Sequence, residues 1–370
     1  MIIRTFHPVG QGAFYSEQSE KHLIVYDCGS IGHKSLAETV VANSFTPKKD
    51  IDCLFISHFD IDHINMIPIL KANYNIKTVI MPLLHDNHKY LLANYYKALG
   101  LTKLASLIAH PKEFFENKAE IIAVKMKGKD ENDENEANNR EALQIDHLIE
   151  EIRRTQDKNG ILKIKSGQKI NIGGWMYIPH NIHYKERSAE FRSWLKLHKV
   201  TDFNKLSKDI QYVYDNKDII KSYFNPPQKN VDRNINDNSM LLYSGPVDSN
   251  PYKYTLQPLL YCPIYKCSIN RVGCIYTGDS DLKKSKIKRI YNKYWNNVGT
   301  IQIPHHGSIK NFSKEELDYN TYICPISFGT SNTHGHPSGK VITDLLQLSC
   351  TPIFVTEKLD SRYWQNIECF

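Results

Sequence analysis

The sequence predicts an α/β fold: one domain whose two halves are separated by a helical middle. Three observations carry this. Strand-like runs alternate with a helix-like run over residues 1–82, apolar positions recur at helical spacing within 90–224, and β signals return from Ser239 onward. A length of 370 residues allows one enlarged domain or two ordinary ones. The order β-rich, helical, β-rich favours the first.

Residues 2–9 are β-rich and end at the turn signal Gly10-Gln11-Gly12. Leu23-Ile24-Val25-Tyr26 reads as a buried strand that runs into Asp27-Cys28-Gly29-Ser30. A further apolar run, 51–56, leads directly into Ser57-His58. Residues 64–74 read as a short helix and 78–81 as a strand closed by Pro82. Apolar residues at 91, 95 and 99 and at 92 and 96 mark a helix within 90–108. Residues 127–141 are almost entirely polar and read as a solvated loop. Helical patterns resume at 139–156 and 187–224, with a hairpin strand around Gly173-Gly174 between them. Later strands fall at 240–243, 255–265, 272–276, 300–303, 322–326 and 352–355. The halves are therefore 1–85 and 231–370, with 86–230 as a mostly helical insertion.

Composition narrows the class. The 47 Lys and Arg against 40 Asp and Glu give a formal charge of +7, with a pI near 8.8 and a mean hydropathy of -0.47. At 41% hydrophobic residues the chain can bury a large core, which excludes wholesale disorder. No apolar run is long enough to span a bilayer, so no membrane partner is expected. The opening Met1-Ile2-Ile3-Arg4-Thr5-Phe6-His7-Pro8 lacks a signal-peptide pattern, and a cytoplasmic location is expected. The modest excess charge admits a polyanionic partner without requiring one. Cys262, Cys267 and Cys274 are close enough in sequence to hold a metal but lack zinc-ribbon spacing, so buried reduced thiols are the better reading.

The chemistry is concentrated in Ser57-His58-Phe59-Asp60-Ile61-Asp62-His63. Four metal-capable side chains follow a buried strand and precede a helix, and strand ends are where α/β folds gather their sites. One cation cannot readily use all four, so two adjacent metals are the natural reading. Aspartates that merely cap the helix are the plain alternative. Three later strands end alike: Tyr276-Thr277-Gly278-Asp279, Ile303-Pro304-His305-His306-Gly307-Ser308, and the segment 328–337 with His334 and His336. Such endings together argue against packing accidents.

The ordered series S-H-x-D-x-D-H, N-D-N-S, T-G-D, P-H-H-G-S and G-H-P resembles the metallo-β-lactamase superfamily. Within it, the series is similar to the hydrolase domain of the ComEC family of competence proteins and their free-standing relatives. Val9-Gly10-Gln11-Gly12 and Tyr26-Asp27-Cys28-Gly29-Ser30 resemble the same family's opening. The resemblance covers roughly 1–85 and 231–356 and leaves the middle unexplained. It implies a four-layer αββα sandwich. It also implies that His58 and Asp60 hold a first metal and Asp62 and His63 a second, with Asp279 bridging. His305 resembles the late histidine on the second metal, with His306 the neighbouring alternative. Asp27 resembles the early aspartate that orients the ligand loop from behind.

Two departures matter. Asp60 stands where the commoner pattern has a histidine, and Asn236-Asp237-Asn238-Ser239 stands where a further histidine is usual. Both exchange imidazole for oxygen donors, which moves preference from zinc toward manganese or magnesium. Two divalent ions are expected, Mn²⁺ ahead of Zn²⁺ or Mg²⁺, and a β-lactamase is disfavoured. Asn238 is a candidate metal or substrate ligand, or a turn residue. His336 is a candidate general acid, phosphate donor or ligand. His334 has the same options, with a plain structural role at least as good.

Two divalent cations about 3.5–4 Å apart lower the pKa of a shared water and neutralise charge on a phosphoryl oxygen. Asp62, as ligand, and His336, assisting the leaving oxygen, are the candidate catalytic residues. The resemblance implies hydrolysis of nucleic-acid phosphodiesters. Lys283, Lys284 and Lys286, shortly after Asp279, are candidate nucleic-acid contacts. Leu282, Ile287 and Ile290 equally make that run an amphipathic helix with an ordinary solvated face. A hydrolase of a small phosphodiester, ester or nucleotide is the alternative, and a regulatory subunit with a vestigial centre a further one. The full set of ligands counts against the last. The resemblance also admits a separate partner protein and a role in antiphage defence.

Overall fold

Runs of β-branched and aromatic residues build two large sheets in the computed structural model, which describes residues 1–126, 141–155, 160–224, 238–247, 252–256 and 271–369. The first sheet runs, edge to edge, β10 (Leu162–Ile164), β8 (Glu120–Val124), β7 (Thr78–Pro82), β5 (Cys53–Phe55), β3 (Leu23–Cys28), β2 (Phe14–Ser19), β1 (Ile2–Phe6), β19 (Tyr363–Cys369) and β14 (Tyr252–Leu256). The second runs β18 (Thr351–Val355), β17 (Ile323–Ser327), β16 (Val298–Ile301), β15 (Gly273–Tyr276), β13 (Asn238–Pro246), β12 (Trp175–His183), β11 (Ile170–Ile172) and β9 (Leu143–Gln144). A short pair, β4 (Asp50–Ile51) with β6 (Asn75–Ile76), stands apart.

The pleat sends alternate residues to opposite layers. In β3, Ile24 and Tyr26 face the second sheet, where Tyr26 stacks on Tyr276 with ring centroids 4.9 Å apart. Leu23 and Val25 face outward, into a core shared with the helices Lys34–Ala42, Ile67–Asn73, Asp86–Ala98 and Thr102–Ala109. In β13, Met240 and Leu242 point inward while Leu241 and Tyr243 pack under Ile287–Ile290 and Gly339–Gln347. Three apolar layers between four structural ones make the αββα sandwich, as expected.

One buried charge pair sits between the sheets. Glu17 Oε1 accepts from Arg4 Nε at 2.7 Å and from Tyr276 Oη at 2.9 Å. Its Oε2 accepts from Tyr177 Oη at 3.0 Å and Ser244 Oγ at 2.5 Å. Arg4 Nη1 donates to the Val272 carbonyl at 3.0 Å and Gln365 Oε1 at 2.9 Å. Strands of both sheets are thereby joined through groups fully removed from water. The polar Ser-Glu-Gln-Ser stretch of β2 is thus accounted for: its glutamate is the buried partner of Arg4.

Residues 86–230 are less of an insertion than expected. They contain the helices Asp86–Ala98, Thr102–Ala109 and Lys185–Leu197, but also β8 to β12, which extend both sheets. Short apolar runs such as Glu120–Val124 cannot be told from helix by periodicity, whereas β11 and β12 fall on the hairpin expected around Gly173-Gly174. Of the cysteine cluster, Cys274 is buried and free, whereas Cys262 and Cys267 lie outside the described residues.

Glu17→Ala leaves Arg4 buried without its counter-charge and is expected to cost about 3–5 kcal/mol in urea unfolding. The paired Arg4→Met/Glu17→Leu replacement should cost less; equal losses would show that the uncompensated charge is not the cause.

His7 gives a second test. It is buried, stacks on Phe14 at 4.2 Å, and has Nε2 2.8 Å from Ser16 Oγ. Burial, and then the charge of Arg362, push its pKa from 6.5 down to about 3. The unfolded chain takes this proton near 6.5, so its contribution is whole above that pH and lost as pH falls toward 3. His7→Gln should flatten the acid decline of the urea midpoint; an unchanged slope would place the sensitivity elsewhere.

Candidate metal centre

The parallel strands β3 and β5 of one sheet, and β15, β16 and β17 of the other, deliver their C-terminal ends to one place. Asp27 ends the first and His58 follows the second. Asp279 follows β15, and His305 and His306 follow β16. Two glycines make the approach close enough. A Cβ on Gly29 would lie 2.4 Å from the backbone of Asp62. Gly278 adopts φ +52, and a Cβ there would stand 2.8 Å from Ser57 Cβ.

Each histidine is oriented from behind. Asp27, wholly buried, accepts from Ser57 N at 2.7 Å and Ser57 Oγ at 2.6 Å, and its Oδ2 lies 2.8 Å from His63 Nδ1. A carboxylate can only accept, so His63 Nδ1 carries the proton. Ser57 Oγ gives its hydrogen to Asp27, and so accepts from His58 Nδ1 at 2.8 Å. His306 Nδ1 donates to the Ser327 carbonyl at 2.8 Å. His305 Nδ1 donates to Asn311 Oδ1 at 3.1 Å, and the Asn311 amide is itself fixed by donating to the Asp279 carbonyl at 2.9 Å. All four Nε2 lone pairs therefore face inward, as a metal requires.

Asp279 is the hub. Its Oδ1 is 3.1 Å from His63 Nε2, and its Oδ2 is 3.5 Å from His58 Nε2 and 3.6 Å from His305 Nε2. Asp60 Oδ2 is 3.3 Å from His58 Nε2, and Asp62 Oδ2 is 2.9 Å from His306 Nε2. The donors form two adjacent groups, His58, His63 and Asp279, and Asp62, His63 and His306, with His63 common to both; Asp60 reaches the first through His58 and His305 through Asp279. His58 Nε2, His63 Nε2 and Asp279 Oδ1 are buried and make no hydrogen bond. Leaving such atoms unsatisfied costs about 1–3 kcal/mol each, and a divalent cation among them removes that penalty. The donor set fits such an ion.

The electrostatics agree. Burial would raise the pKa of Asp279, but His305, His63 and His58 outweigh it and hold the carboxyl well below its usual range. Burial likewise opposes ionisation of Asp62, and His306 and His63 prevail. Both carboxylates stay ionised at neutral pH. His58 shows the reciprocal effect: burial and His63 lower it, Asp279 and Asp60 outweigh them, and it rises to about 9.

The expected late histidine needs correcting. His306, not His305, joins Asp62 and His63, while His305 Nε2 lies 3.6 Å from Asp279 Oδ2; both residues have left-handed backbones. His336 is half-buried at the mouth, its ring centroid 5.5 Å from that of His305. His334 is exposed beyond it. Asn238 is drawn into a different network, its amide donating to Asn181 Oδ1 at 2.7 Å; Asn236 and Asp237 lie outside the described residues. Lys283, Lys284 and Lys286 are exposed, and Lys284 and Lys286 lie 3.8 and 3.4 Å from Glu186 and Glu316. Beneath them Leu282 and Ile287 are buried, the pattern of an ordinary solvated face. Ser57 and Asn311 carry no metal-ligand signal, yet they set two tautomers. Their only mark is position, one residue before His58 and six after His305.

Residues 10–147 match the family model of the metallo-beta-lactamase superfamily. That stretch of the chain is similar to the superfamily's domain. A domain of that kind implies a metal-dependent hydrolase. A crystal structure of the metallo-beta-lactamase fold protein YhfI from Bacillus subtilis is similar at a TM-score of 0.40 and 10% identity, over 99% of this chain and 100% of that one. No curated protein matches. Among the described residues no helix is long and apolar enough to cross a membrane.

Asp27 holds three groups at once, so Asp27→Ala should weaken divalent-metal binding about 10–100-fold in chelator competition. Asp27→Asn should recover part of this, since an amide oxygen still accepts from Ser57 N. Undiminished affinity in Asp27→Ala would remove Asp27 from the centre's support.

Proposed function

We propose that the protein is a phosphodiesterase of the ComEC-like branch of its superfamily that cleaves nucleic acid with two divalent cations, Mn²⁺ favoured. The observation that carries this is a pair of adjacent donor groups that each mix carboxylate with imidazole, His58, His63 and Asp279 beside Asp62, His63 and His306. Two such groups side by side suit a pair of ions on one phosphoryl group. Oxygen donors in both sets favour a harder ion than zinc. When bound, the cations supply Lewis acidity toward a phosphoryl oxygen and make water nucleophilic near neutral pH.

The chain's own residues do the rest. Asp27, Ser57, Asn311 and the Ser327 carbonyl hold the four imidazoles with Nδ1–H turned outward, so Nε2 is the nitrogen that would donate electrons to a cation displacing its proton. In this reading His336 delivers a proton to the leaving oxygen. Its loop is braced for this by Asn332, whose Oδ1 accepts from His336 N at 3.1 Å and whose Nδ2 donates to the His336 carbonyl at 2.6 Å.

The test uses purified protein with defined metals on single-stranded DNA, duplex DNA, RNA and bis-(p-nitrophenyl) phosphate. Cleavage is expected on nucleic acid and the small diester, restored after chelation better by Mn²⁺ than by Zn²⁺. Asp62→Ala and His63→Ala should fall to background. Undiminished cleavage in both variants would sink the assigned centre, and turnover of the small diester alone would sink the nucleic-acid substrate.

A further inference from the structure

Beside the metal centre lies a cavity of about 1050 Å³. Its link to the centre is the chain itself. His183, at the end of β12, pairs across with Asn238, two residues before Met240, whose N–H donates to the Ser57 carbonyl at 2.8 Å. The next residue, Tyr184, accepts from Asp281 N at 3.0 Å. Arg187 lies over the Tyr184 ring at 4.1 Å and donates to the carbonyl of Asp279 at 3.4 Å. The helix Lys185–Leu197 therefore starts against the loop that carries the hub carboxylate, and its other face walls the cavity.

The walls are built for negative charge. Lys185 and Arg192 line the cavity from one helix, and the imidazoles of His85 and His183 stand edge to face with centroids 5.9 Å apart. Two thirteen-residue helices, Asp86–Ala98 and Lys185–Leu197, open onto it. Neither N-cap, His85 or Tyr184, supplies a side-chain cap. Asp86 and Lys185, the first residues of these helices, both line the cavity. Of the acids there, Asp202 is engaged in capping Phe203–Lys208, accepting from Lys205 N at 3.2 Å, and Asp86 sits in a helix's first turn.

We infer that this cavity is an anion-binding subsite for a phosphodiester of the substrate strand neighbouring the one at the metal centre. The inference rests on the phosphodiesterase reading and extends it. The metal centre handles one phosphoryl group, and a second set of cations and helix ends on a shared helix serves a chain of phosphates better than an isolated diester. The flanking group enters between Lys185 and Arg192, with Arg192 held over Phe203 at 5.8 Å. Deoxyribose and ribose backbones share this chemistry.

The test is binding by the full-length protein to fluorescein-labelled, phosphorothioate-linked single-stranded 12-mers of DNA and of RNA, which keep the charge and resist cleavage. Lys185→Ala/Arg192→Ala should weaken binding about tenfold or more. It should also reduce the salt dependence of log affinity by about 1.4, the release expected for two phosphate contacts on a single strand. The charge-matched Lys21→Ala/Lys97→Ala, with both lysines exposed elsewhere, should change neither. Comparable losses in both variants, undiminished binding in the first, or no binding by the native protein would each overturn the subsite. Stronger binding of one oligomer identifies which backbone the site takes. A protein that cleaves nucleic acid yet binds both 12-mers undiminished in Lys185→Ala/Arg192→Ala defeats this inference alone. One that binds both through Lys185 and Arg192 but hydrolyses no phosphodiester defeats the catalytic reading alone.

Discussion

Asp27 sits at the end of β3 with both carboxylate oxygens engaged: one by the Ser57 backbone, the other by the Ser57 hydroxyl and His63. These contacts settle where β5 ends relative to β3, which way the ligand loop turns, and which nitrogens of His58 and His63 face inward. A buried carboxylate held by two or three donors is a strong local anchor, and here the donors belong to the metal-ligand segment itself. The residue reaches the position through a left-handed backbone, φ 56. Few residue types adopt that conformation readily, and aspartate is among them.

The other half of the centre comes from the second sheet, so its geometry follows from how the sheets are seated. The Arg4–Glu17 pair with its tyrosine donors, and the aromatic stack of Tyr15, Tyr26 and Tyr276, determine that seating. Tyr26 also donates to the Met240 carbonyl at 2.7 Å, and Met240 returns a backbone donor to Ser57. Gln302 completes the frame by accepting from the backbones of Thr277 and Gly278, tying the Asp279 loop to the strand that leads into His305. Asp279 can therefore face three imidazoles because backbone contacts, rather than its own side chain, bring it there.

Much of this was legible in the chain. Metal-capable residues beside glycine at strand ends leave a mark that survives without coordinates, and the first-sheet strands from β3 to β7 announce themselves by apolar runs. The αββα layering followed from the motif order. What stayed hidden has physical reasons. β2 is polar because it carries the buried glutamate, and Glu120–Val124 is too short for its period to speak. His305 and His306 differ in their partners, Asn311 and Asp279 for one and Asp62 and the Ser327 carbonyl for the other, and adjacent residues of one type leave no trace of that. Asn238 read as a ligand candidate because a turn and a strand entrance share the same residue preferences; its actual partner, Asn181, lies in a region that the motifs do not reach.

The pairing of β1 bears on how the molecule is made. Ile2 lies opposite Ile367 in the first sheet, and the loops bearing Asp279 and His306 arrive nearly as late. During synthesis the first ligand segment emerges early, beside a strand with one edge still bare, and must wait for most of the chain. Contacts so distant in sequence are slow to form, and an unpaired edge is prone to wrong partners meanwhile. Closure of the first sheet and completion of the ligand set thus fall in the same final stage of folding. A nascent or truncated chain would hold half of a metal centre and none of the other, so the complete set of ligands comes together only after the architecture is nearly finished.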